Sequence, residues 1–438
     1  MIAETIYVGK QHAAVRTINF TFSQLIPYIG NKRKLLDLIA RALAHTGKHQ
    51  QAVFLDMFAG SGVVARLAKT LGYRVIANDW EPYSRAINSC YIACNVPPLF
   101  ANLGGYEKAV DILNHLPPRV DWVTEHLCPR DDVEYDAAID RMFYMRKNGM
   151  RIDAIRHQIL VWRSQGVINE IEEDCLLAPL IYQACYTSNT SGVFKGFHNG
   201  WGGKTRTALY RIASDLTLAP AVFFDNGVPN EVLCEDAQRV AERLGGEELT
   251  VVYLDPPYNQ HPYGSNYHVL NSISLWDKPQ IDKTITPGTK SAIRIDWRTT
   301  RRSAYNYRDE AAVAYWRLIQ TLNAHYILTS YSTDGTISLE QLLAANTYRG
   351  RVHVVMKGYK RYRVSSQRFS DKPMNVEFIV VVDTHKKSDI SIDELQYTIL
   401  SKEQAVLNSH PEYVVQNKYQ PKLFWWEREL RGKETPTP

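Results

Sequence analysis

The sequence feature that most constrains the fold is a short apolar run that two consecutive prolines end. Residues 250–253 (Thr-Val-Val-Tyr) favour extended backbone and predict a short buried strand. Leu254-Asp255-Pro256-Pro257-Tyr258 follows, and because proline has no backbone N–H, the strand cannot continue through this segment. The sequence therefore places a carboxylate and an aromatic ring at the carboxyl end of a strand, where open α/β sheets bind their ligands.

The chemistry available to this segment suits an exocyclic amine of a nucleobase. Asp255 and the carbonyl of Pro256 can each accept a hydrogen bond from such an amine. These two bonds free the lone pair of the nitrogen for attack. The Tyr258 ring can stack on the base, an interaction worth about 1–3 kcal/mol in single-stranded complexes. The alternative is an ordinary turn in which Asp255 accepts hydrogen bonds from neighbouring backbone amides.

A glycine loop between a strand and a helix predicts a nucleoside-binding site. Residues 52–56 form an apolar run ending in Asp56, followed by Phe58-Ala59-Gly60-Ser61-Gly62 and a predicted helix over 63–71. A second strand, 74–78, leads to Asp79, the position of a ribose-binding acid. The loop is shorter than a pyrophosphate-binding loop, which favours a ligand without phosphates such as S-adenosylmethionine. The alternative is an ordinary βαβ turn with capping aspartates.

Two further segments are candidates for the same ligand. Tyr28-Ile29-Gly30-Asn31-Lys32 precedes a predicted helix, where free amides favour an anion, although a basic helix start without a ligand is the alternative. Asp236 ends a predicted strand over 232–236 and can either receive the amine of an adenine or cap the following helix. Asp56 can face the ammonium group of the same ligand.

Several segments have the composition of a nucleic-acid contact. Residues 186–206 combine glycines, aromatics and amides with basic side chains and contain no acid. Residues 290–308 and 347–369 are two basic runs, and the second is predicted to connect a hairpin. A surface loop and a solvated hairpin face are the alternatives. The candidate DNA contacts are Lys195, Asn199, Trp201, Lys204, Arg206, Lys360, Arg361 and Arg363.

Composition excludes several classes of protein. The 438 residues carry 51 Lys and Arg against 46 Asp and Glu, a net charge of +5, too small by itself to indicate a polyanionic partner. The six cysteines form no CxxC pair and no cluster with histidine, so we expect no metal site and a reducing compartment. No apolar window is long enough for a membrane span, and the amino terminus has no signal-peptide pattern. We therefore expect a cytoplasmic protein.

Taken together, the motifs resemble those of the DNA adenine methyltransferases of the Dam-like alpha group, and within it the FokI-type enzymes. Tyr28–Lys32 is similar to the amino-terminal cofactor motif, Asp56–Gly62 to the FxGxG motif, and Asp255–Tyr258 to the catalytic motif. Residues 259–268 resemble the FokI-type continuation, and 192–203 the DNA-contacting loop. The resemblance implies catalytic roles for Asp255, Pro256, Pro257 and Tyr258. It implies cofactor contacts from Tyr28, Ile29, Gly30, Lys32, Asp56, Phe58, Gly60, Gly62, Asp79 and Asp236.

The resemblance also implies an architecture and a reaction. The expected fold is an α/β, Rossmann-like methyltransferase fold with a mixed seven-stranded sheet and an inserted, mainly helical target-recognition domain. The expected parts are 1–95 and 231–385 for the methyltransferase domain, 96–230 for the insert and 386–438 for a carboxyl-terminal extension. The expected reaction moves a methyl group from S-adenosylmethionine to the N6 amine of adenine in double-stranded DNA, after base flipping and without a metal. The resemblance also implies a monomer from a bacterial, archaeal or phage source, with a cognate restriction endonuclease as an expected partner. Cytosine-N4 or RNA adenine methylation, and a non-catalytic DNA-binding module, are the alternatives.

Overall fold

A computed structural model of the chain describes residues 17–47, 52–258, 260, 262–294, 296–360 and 374–409. Within these residues, seven strands form one sheet in the order β3-β2-β1-β4-β5-β7-β6. The predicted mixed seven-stranded α/β fold is therefore confirmed. The strands are β1 (Val53–Asp56), β2 (Arg74–Asn78), β3 (Glu231–Leu233), β4 (Leu249–Leu254), β5 (Ala324–Ser332), β6 (Arg351–Lys360) and β7 (Met374–Asp383).

The first five strands are parallel, and the last two run antiparallel to their neighbours. In the centre of the sheet, Asp56 at the end of β1 pairs in register with Tyr253 of β4. The carboxyl ends of β1, β2, β3 and β4 therefore meet at one edge, as the sequence predicts for Asp56, Asp79, Asp236 and Asp255. The predicted hairpin is present as β6 and β7, and β7 lies between β6 and β5.

Helices cover both faces of the sheet and form a further helical layer beside it. The helix Pro82–Asn88 is followed directly by a π-helical turn, Ser89–Ala93. The helices are α1 (Leu36–Ala44), α2 (Val63–Thr70), α3 (Pro82–Asn88), α4 (Tyr106–Asn114), α5 (Trp122–Leu127), α6 (Arg146–Ser164), α7 (Glu170–Tyr186), α8 (Leu209–Ala213), α9 (Ala237–Arg243), α10 (Tyr263–Asn266), α11 (His268–Leu275), α12 (Trp297–Thr300), α13 (Ala311–Thr321), α14 (Leu339–Arg349) and α15 (Ile392–Asn408).

Alternation along β4 builds a core on each face of the sheet. Val252 and Leu254 pack with apolar residues of α9, α13, α14 and α15, whereas Val251 and Tyr253 pack with those of α1 and α2. Side chains that point alternately to the two faces of a strand bury both faces when every position is apolar. This burial fixes β4 in the middle of the sheet and holds the segment that follows it in place.

The helical layer between residues 100 and 224 packs around a third apolar core. That core also includes residues from α3 and α11, which lie in the two predicted methyltransferase parts of the chain. Because these helices share one apolar cluster with the insert, the insert is not a separately packed body. The four-part division of the chain stays a prediction.

The end of the described chain packs onto the antiparallel edge of the sheet. Helix α15 contacts β6, β7 and α14, and a Cβ atom at Gly358 of β6 would lie 2.7 Å from Val406. Glycine at this position therefore permits the close approach of helix and strand. Among the described residues no helix is long and apolar enough to cross a membrane.

Candidate active site

A pocket of about 760 Å³, including its open mouth, lies at the carboxyl ends of the parallel strands. Open α/β sheets bind small ligands at the carboxyl ends of their parallel strands. The segments after β1, β2, β3 and β4 contribute to its wall, and residues 301–306 lie across from them. The wall includes Tyr28, Met57, Phe58, Asn78, Asp79, Trp80, Glu81, Glu235, Asp236, Ala237, Asp255, Pro257, Tyr263, Gly264, Arg301 and Tyr305.

Asp255 lies on this wall directly after β4, and its carboxylate contacts a buried lysine. The Oδ1 atom of Asp255 is 3.1 Å from Nζ of Lys32, and the Asp255 side chain is only 16% exposed. Burial raises the pKa of Asp255, and the Lys32 ammonium opposes this rise. Lys32 thus supplies a positive charge that favours the ionised form of Asp255 in a poorly solvated position.

Lys32, a predicted cofactor contact, lies beside Asp255 and behind the pocket wall. Lys32 is buried and does not belong to the pocket wall; its Nζ also lies 3.8 Å from Oε2 of Glu377. Burial by itself would lower the pKa of Lys32, but the charges of Asp255, Tyr258 and Glu377 outweigh it and raise the pKa well above its ordinary value. Lys32 is therefore charged, and its contacts are protein carboxylates.

A stack of tyrosines holds the amino-terminal motif against the catalytic segment. The Tyr28 ring stacks on Tyr263 and Tyr267, with centroid distances of 5.2 and 5.1 Å. The Tyr267 hydroxyl accepts a hydrogen bond from the amide of Ile29 (2.8 Å), and the Tyr263 hydroxyl donates one to the Ile29 carbonyl (3.1 Å). Tyr263 and Tyr267 were noted in the sequence as part of a motif, but this clamp was not predicted.

Glycine at position 30 lets Tyr258 approach the amino-terminal motif. Gly30 has a φ of +75°, and a Cβ atom there would lie 3.0 Å from the Tyr258 hydroxyl. The Tyr258 ring also lies 5.3 Å from Nζ of Lys32 and packs edge-on against Tyr331. A side chain at position 30 would therefore displace the ring that is predicted to stack on a base.

The glycine loop is fastened to Asp79. The amide of Gly60 donates a 2.7 Å hydrogen bond to Oδ2 of Asp79, and the amide of Glu81 donates one to Oδ1 (2.9 Å). Burial raises the pKa of Asp79, and these two amides oppose the rise. A Cβ atom would lie 2.4 Å from Oδ1 of Asn88 at Gly62 and 2.7 Å from the Tyr28 ring at Gly60, so neither position has space for a side chain.

Asp56 is buried with both carboxylate oxygens lacking a hydrogen-bond partner among the described residues. Burial, then the negative charges of Asp255 and Asp79, raises the pKa of Asp56 well above its ordinary value. Asp56 is not part of the pocket wall, so the structure does not bring it to the ligand position that the sequence predicted. The raised pKa favours the neutral, protonated form of Asp56 behind the wall.

Glu81 is an acid in the pocket that the sequence reasoning missed. Its side chain accepts a hydrogen bond from Nδ2 of Asn271, yet burial raises its pKa to about 7. The neighbouring Trp80 also lines the pocket, and Arg301 donates to its carbonyl (3.0 Å). The only sequence signal was the position of Glu81, two residues after the predicted ribose acid.

Asp236 caps helix α9 and also belongs to the pocket wall. Its Oδ1 atom accepts hydrogen bonds from the amides of Gln238 and Arg239, at 3.0 and 3.3 Å. Both bonds use the same oxygen, which leaves Oδ2 for a ligand. The two alternatives that the sequence left open, a helix cap and a ligand contact, are compatible in this geometry.

The predicted cofactor residues thus divide into two groups. Tyr28, Phe58, Asp79 and Asp236 line the pocket, whereas Ile29, Gly30, Lys32, Asp56, Gly60 and Gly62 lie outside its wall and support it. The wall carries four carboxylates besides Asp255, namely Asp79, Glu81, Glu235 and Asp236, against one arginine. A site with this excess of negative charge favours a ligand that carries positive charge.

The predicted DNA-contacting loop lies next to the catalytic segment. The amide of Phe194 donates to the carbonyl of Asn266 (2.7 Å), and Nε2 of His268 lies 2.9 Å from the carbonyl of Phe194. Within the loop, Nδ2 of Asn189 donates to the carbonyl of His198, and its Oδ1 accepts from the amide of Gly202. The loop is therefore a hydrogen-bonded structure attached to the α10–α11 segment.

The predicted DNA contacts differ in what surrounds them. Lys204 and Arg206 are exposed, whereas Nε1 of Trp201 donates to the carbonyl of Asp132, and Oδ1 of Asn199 accepts from Lys290. Lys195 lies on the same loop beside Phe194. Only the backbone of Lys360, at the end of β6, is described, and Arg361 and Arg363 lie outside the described residues.

Arginines of the 290–308 run are engaged within the protein. Arg294 forms ion pairs with Asp277 and Asp296, and Arg302 pairs with Glu310. These ion pairs occupy guanidinium groups of a run that the sequence analysis predicted to contact a phosphate backbone. Among the described residues no cluster of three or more His, Cys, Asp or Glu side chains could hold a metal ion, and all six cysteines are free thiols.

Comparison with known proteins identifies the family. The chain is 31% identical to the type II methyltransferase M.NlaIII of Neisseria lactamica over 356 residues, 80% of this chain and 96% of that protein. It is 29% identical to the type II methyltransferase M.FokI of Planomicrobium okeanokoites, over 79% of this chain and 50% of that protein. It is 27% identical to the type II methyltransferase M.CviAII of Paramecium bursaria Chlorella virus 1, over 82% of this chain and 99% of that protein. Residues 28–301 match the family described as D12 class N6 adenine-specific DNA methyltransferase, and the chain belongs to that family.

Proposed function

We propose that this protein transfers a methyl group from S-adenosylmethionine to the N6 amine of adenine at a specific sequence in double-stranded DNA. The observation that carries the proposal is the position of Asp255, a largely buried carboxylate paired with Lys32 on the wall of an acidic pocket. The relatives named above are type II methyltransferases, which supports a role as the modification enzyme of a restriction-modification system.

The acidic pocket supports S-adenosylmethionine as the methyl donor. When bound, this cofactor supplies an electrophilic methyl group on a positively charged sulfur, and it carries a second positive charge on its ammonium. Asp79, Glu81 and Asp236 would hold the nucleoside part, and Trp80 and Tyr305 offer aromatic surfaces for its base. The tight packing at Gly60 and Gly62 supports a backbone that lies close to the ligand.

The protein groups around Asp255 can prepare the target amine for attack. The carboxylate of Asp255 and the carbonyl of Pro256 accept hydrogen bonds from the two N–H groups of the amine, so its lone pair is no longer delocalised into the ring. Pro257 fixes the backbone between these acceptors and Tyr258, whose ring stacks on the base. A base inside a duplex is paired and stacked, so the target adenine must be flipped out to enter the pocket.

The loop over 186–206 supports double-stranded DNA as the partner. It is attached through Phe194 to the α10–α11 segment that follows the predicted catalytic motif, and its exposed Lys204 and Arg206 can contact phosphates. A DNA duplex bound along this loop would lie beside the mouth of the pocket. We propose that this loop positions the duplex, while the family's reaction takes place in the pocket beside it.

The test is methyl transfer by wild-type protein and by Asp255→Ala. Plasmid DNA from a host without adenine methylation is incubated with labelled S-adenosylmethionine, then sequenced with detection of modified bases. We expect N6-methyladenine at one short motif with the wild-type protein, and loss of transfer with retained DNA binding for Asp255→Ala. Methylation of cytosine or of RNA would replace the proposed substrate. DNA binding without any transfer by the wild-type protein would indicate a non-catalytic module.

A further inference from the structure

A buried glutamate on the antiparallel part of the sheet lies next to the catalytic carboxylate. Glu377 is in β7, opposite Ser332 of β5 and Lys357 of β6, and is only 6% exposed. Its Oε2 atom is buried without a hydrogen-bond partner among the described residues. A buried carboxylate is costly unless a positive charge offsets it, so its ion-pair partner determines its role.

The cation directly opposite Glu377 in the sheet is occupied elsewhere. Nζ of Lys357 is 2.6 Å from Oδ1 of Asp37 and donates to the carbonyl of Lys34. The Lys357 ammonium accordingly lowers the pKa of Asp37. The ion pair of Glu377 is instead with Lys32, whose Nζ lies 3.8 Å from Oε2 of Glu377 and 3.1 Å from Oδ1 of Asp255.

One ammonium group therefore lies between two buried carboxylates. Burial raises the pKa of Glu377, Lys32 opposes that rise, and the charges of Asp255 and Asp334 add to it. The titratable groups that face this cluster come from several elements. They are Lys32 before α1, Asp56 at the end of β1, Tyr253 and Asp255 at the end of β4, Tyr258, Tyr263 of α10, Tyr331 of β5 and Asp334 after β5. Because a single ammonium faces two carboxylates, the negative charge of Glu377 offsets part of the positive charge of Lys32 that acts on Asp255.

We propose that Glu377 is a positioning residue that shares Lys32 with Asp255 and thereby keeps Asp255 a strong hydrogen-bond acceptor for the target amine. The inference rests on the proposed function, because it assigns Asp255 the role of accepting a hydrogen bond from that amine. Without Glu377, Lys32 would neutralise Asp255 more completely, and the carboxylate would become a weaker base. A weaker base accepts a hydrogen bond less strongly and activates the amine less.

The test is the pH dependence of methyl transfer in single turnovers by Glu377→Gln, which keeps the volume of the side chain and removes its charge. Transfer requires ionised Asp255, so the rate falls as the pH decreases through the pKa of Asp255. Loss of the Glu377 charge lowers that pKa, so the midpoint of the acidic limb should move to lower pH by about one unit. At the same time the plateau rate should fall by about threefold or more, because Asp255 is a weaker acceptor.

Two further variants separate this role from a structural one. Glu403→Gln removes another buried carboxylate, on α15 at the opposite face of the sheet, which accepts a hydrogen bond from Thr333, and should leave the midpoint of the acidic limb unchanged. Glu377→Asp keeps the negative charge but moves it further from Lys32. The midpoint of the acidic limb should therefore move in the same direction by a smaller amount. The Asp variant also provides the test if the Gln variant does not fold.

The outcomes distinguish this inference from the proposed function. A lower midpoint together with a lower plateau for Glu377→Gln, with Glu403→Gln unchanged, would support it. An unmoved midpoint in both Glu377 variants would overturn it, even if their rates fall, because a structural defect lowers the rate at every pH. Absence of methyl transfer by the wild-type protein would overturn the proposed function itself, and this inference with it.

Discussion

Nζ of Lys32 lies 3.1 Å from Oδ1 of Asp255, although the two residues belong to motifs at opposite ends of the matched family region. The contact joins the amino-terminal motif to the catalytic motif. Both side chains are largely withdrawn from water, so their charges interact more strongly than those of a surface pair. Four predictions follow from this site and from the surface beside it.

Replacement of Lys32 by Met should cost activity in a pH-dependent way. Without the ammonium, burial raises the pKa of Asp255 further, so the carboxyl group is protonated near neutral pH and cannot accept from the amine. We expect the single-turnover rate near pH 7 to fall by at least about 100-fold, with partial recovery as the pH rises. The exposed neighbour Lys34, replaced by Met, is the matched control. An equal loss at every pH would show that Lys32 supports the fold and not the charge of Asp255.

Replacement of Glu81 by Gln should stabilise the cofactor-free protein at high pH. The pKa of Glu81 is about 7 in the folded protein against an ordinary value of 4.5, so the folded state binds more protons between these values. The free energy of unfolding of the wild-type protein therefore decreases as the pH rises through this window. Above it, Glu81→Gln should be more stable than the wild type by on the order of 2 kcal/mol, and below it the difference should vanish.

Urea unfolding at about pH 4 and pH 8 measures this difference, and Glu107→Gln, on the exposed face of α4, is the control. Cofactor affinity should change in the opposite sense, because a positively charged ligand stabilises ionised Glu81. We therefore expect weaker binding of S-adenosylmethionine by Glu81→Gln. Equal stability of the two proteins at high pH would contradict the raised pKa.

Replacement of Gly62 by Ala should weaken cofactor binding, whereas the same change at Gly72 should not. Both glycines have left-handed backbone, with φ of +78° and +88°, so alanine costs about 1–2 kcal/mol at either position. Only at Gly62 would the new Cβ meet another group, Oδ1 of Asn88 at 2.4 Å. We expect the affinity to fall about tenfold for Gly62→Ala alone, or about 1.4 kcal/mol, measured by calorimetric titration. Similar affinities for the two variants would argue against a cofactor role for this loop.

Removal of the two exposed cations of the loop should reduce the salt dependence of DNA binding. Lys204 and Arg206 are both exposed, and each phosphate contact contributes about 0.9 to the slope of log affinity against log salt. The double alanine variant should therefore lose about 1.8 of that slope. The matched control replaces Arg74 and Lys402, two exposed cations on β2 and α15, and should keep the wild-type slope. An unchanged slope in the Lys204 and Arg206 variant would remove these residues from the interface.

Local sequence patterns determined the backbone of the site. The β-branched run before Asp255 and the glycines at 60 and 62 predicted β4, β1 and the loop between β1 and α2, and the structure confirms these elements. Such patterns succeed because strand propensity, the missing N–H of proline and the freedom of glycine act over a few neighbouring residues. The order of the motifs, read against a known family, was enough to predict the fold and the reaction class.

The tertiary structure decided which charged groups meet. Lys32 reaches Asp255 and Glu377 only because β7 lies beside β5, with β4 on the other side, and an ion pair between distant segments leaves no periodic signal in the sequence. Likewise, the pKa of Glu81 is raised because the folded chain buries it, although Asn271 and Arg301 oppose the rise, and no local pattern predicts that burial. The sequence by itself determined which residues end each strand. Long-range packing determined their solvation and their partners, and these set the charge on the catalytic carboxylate.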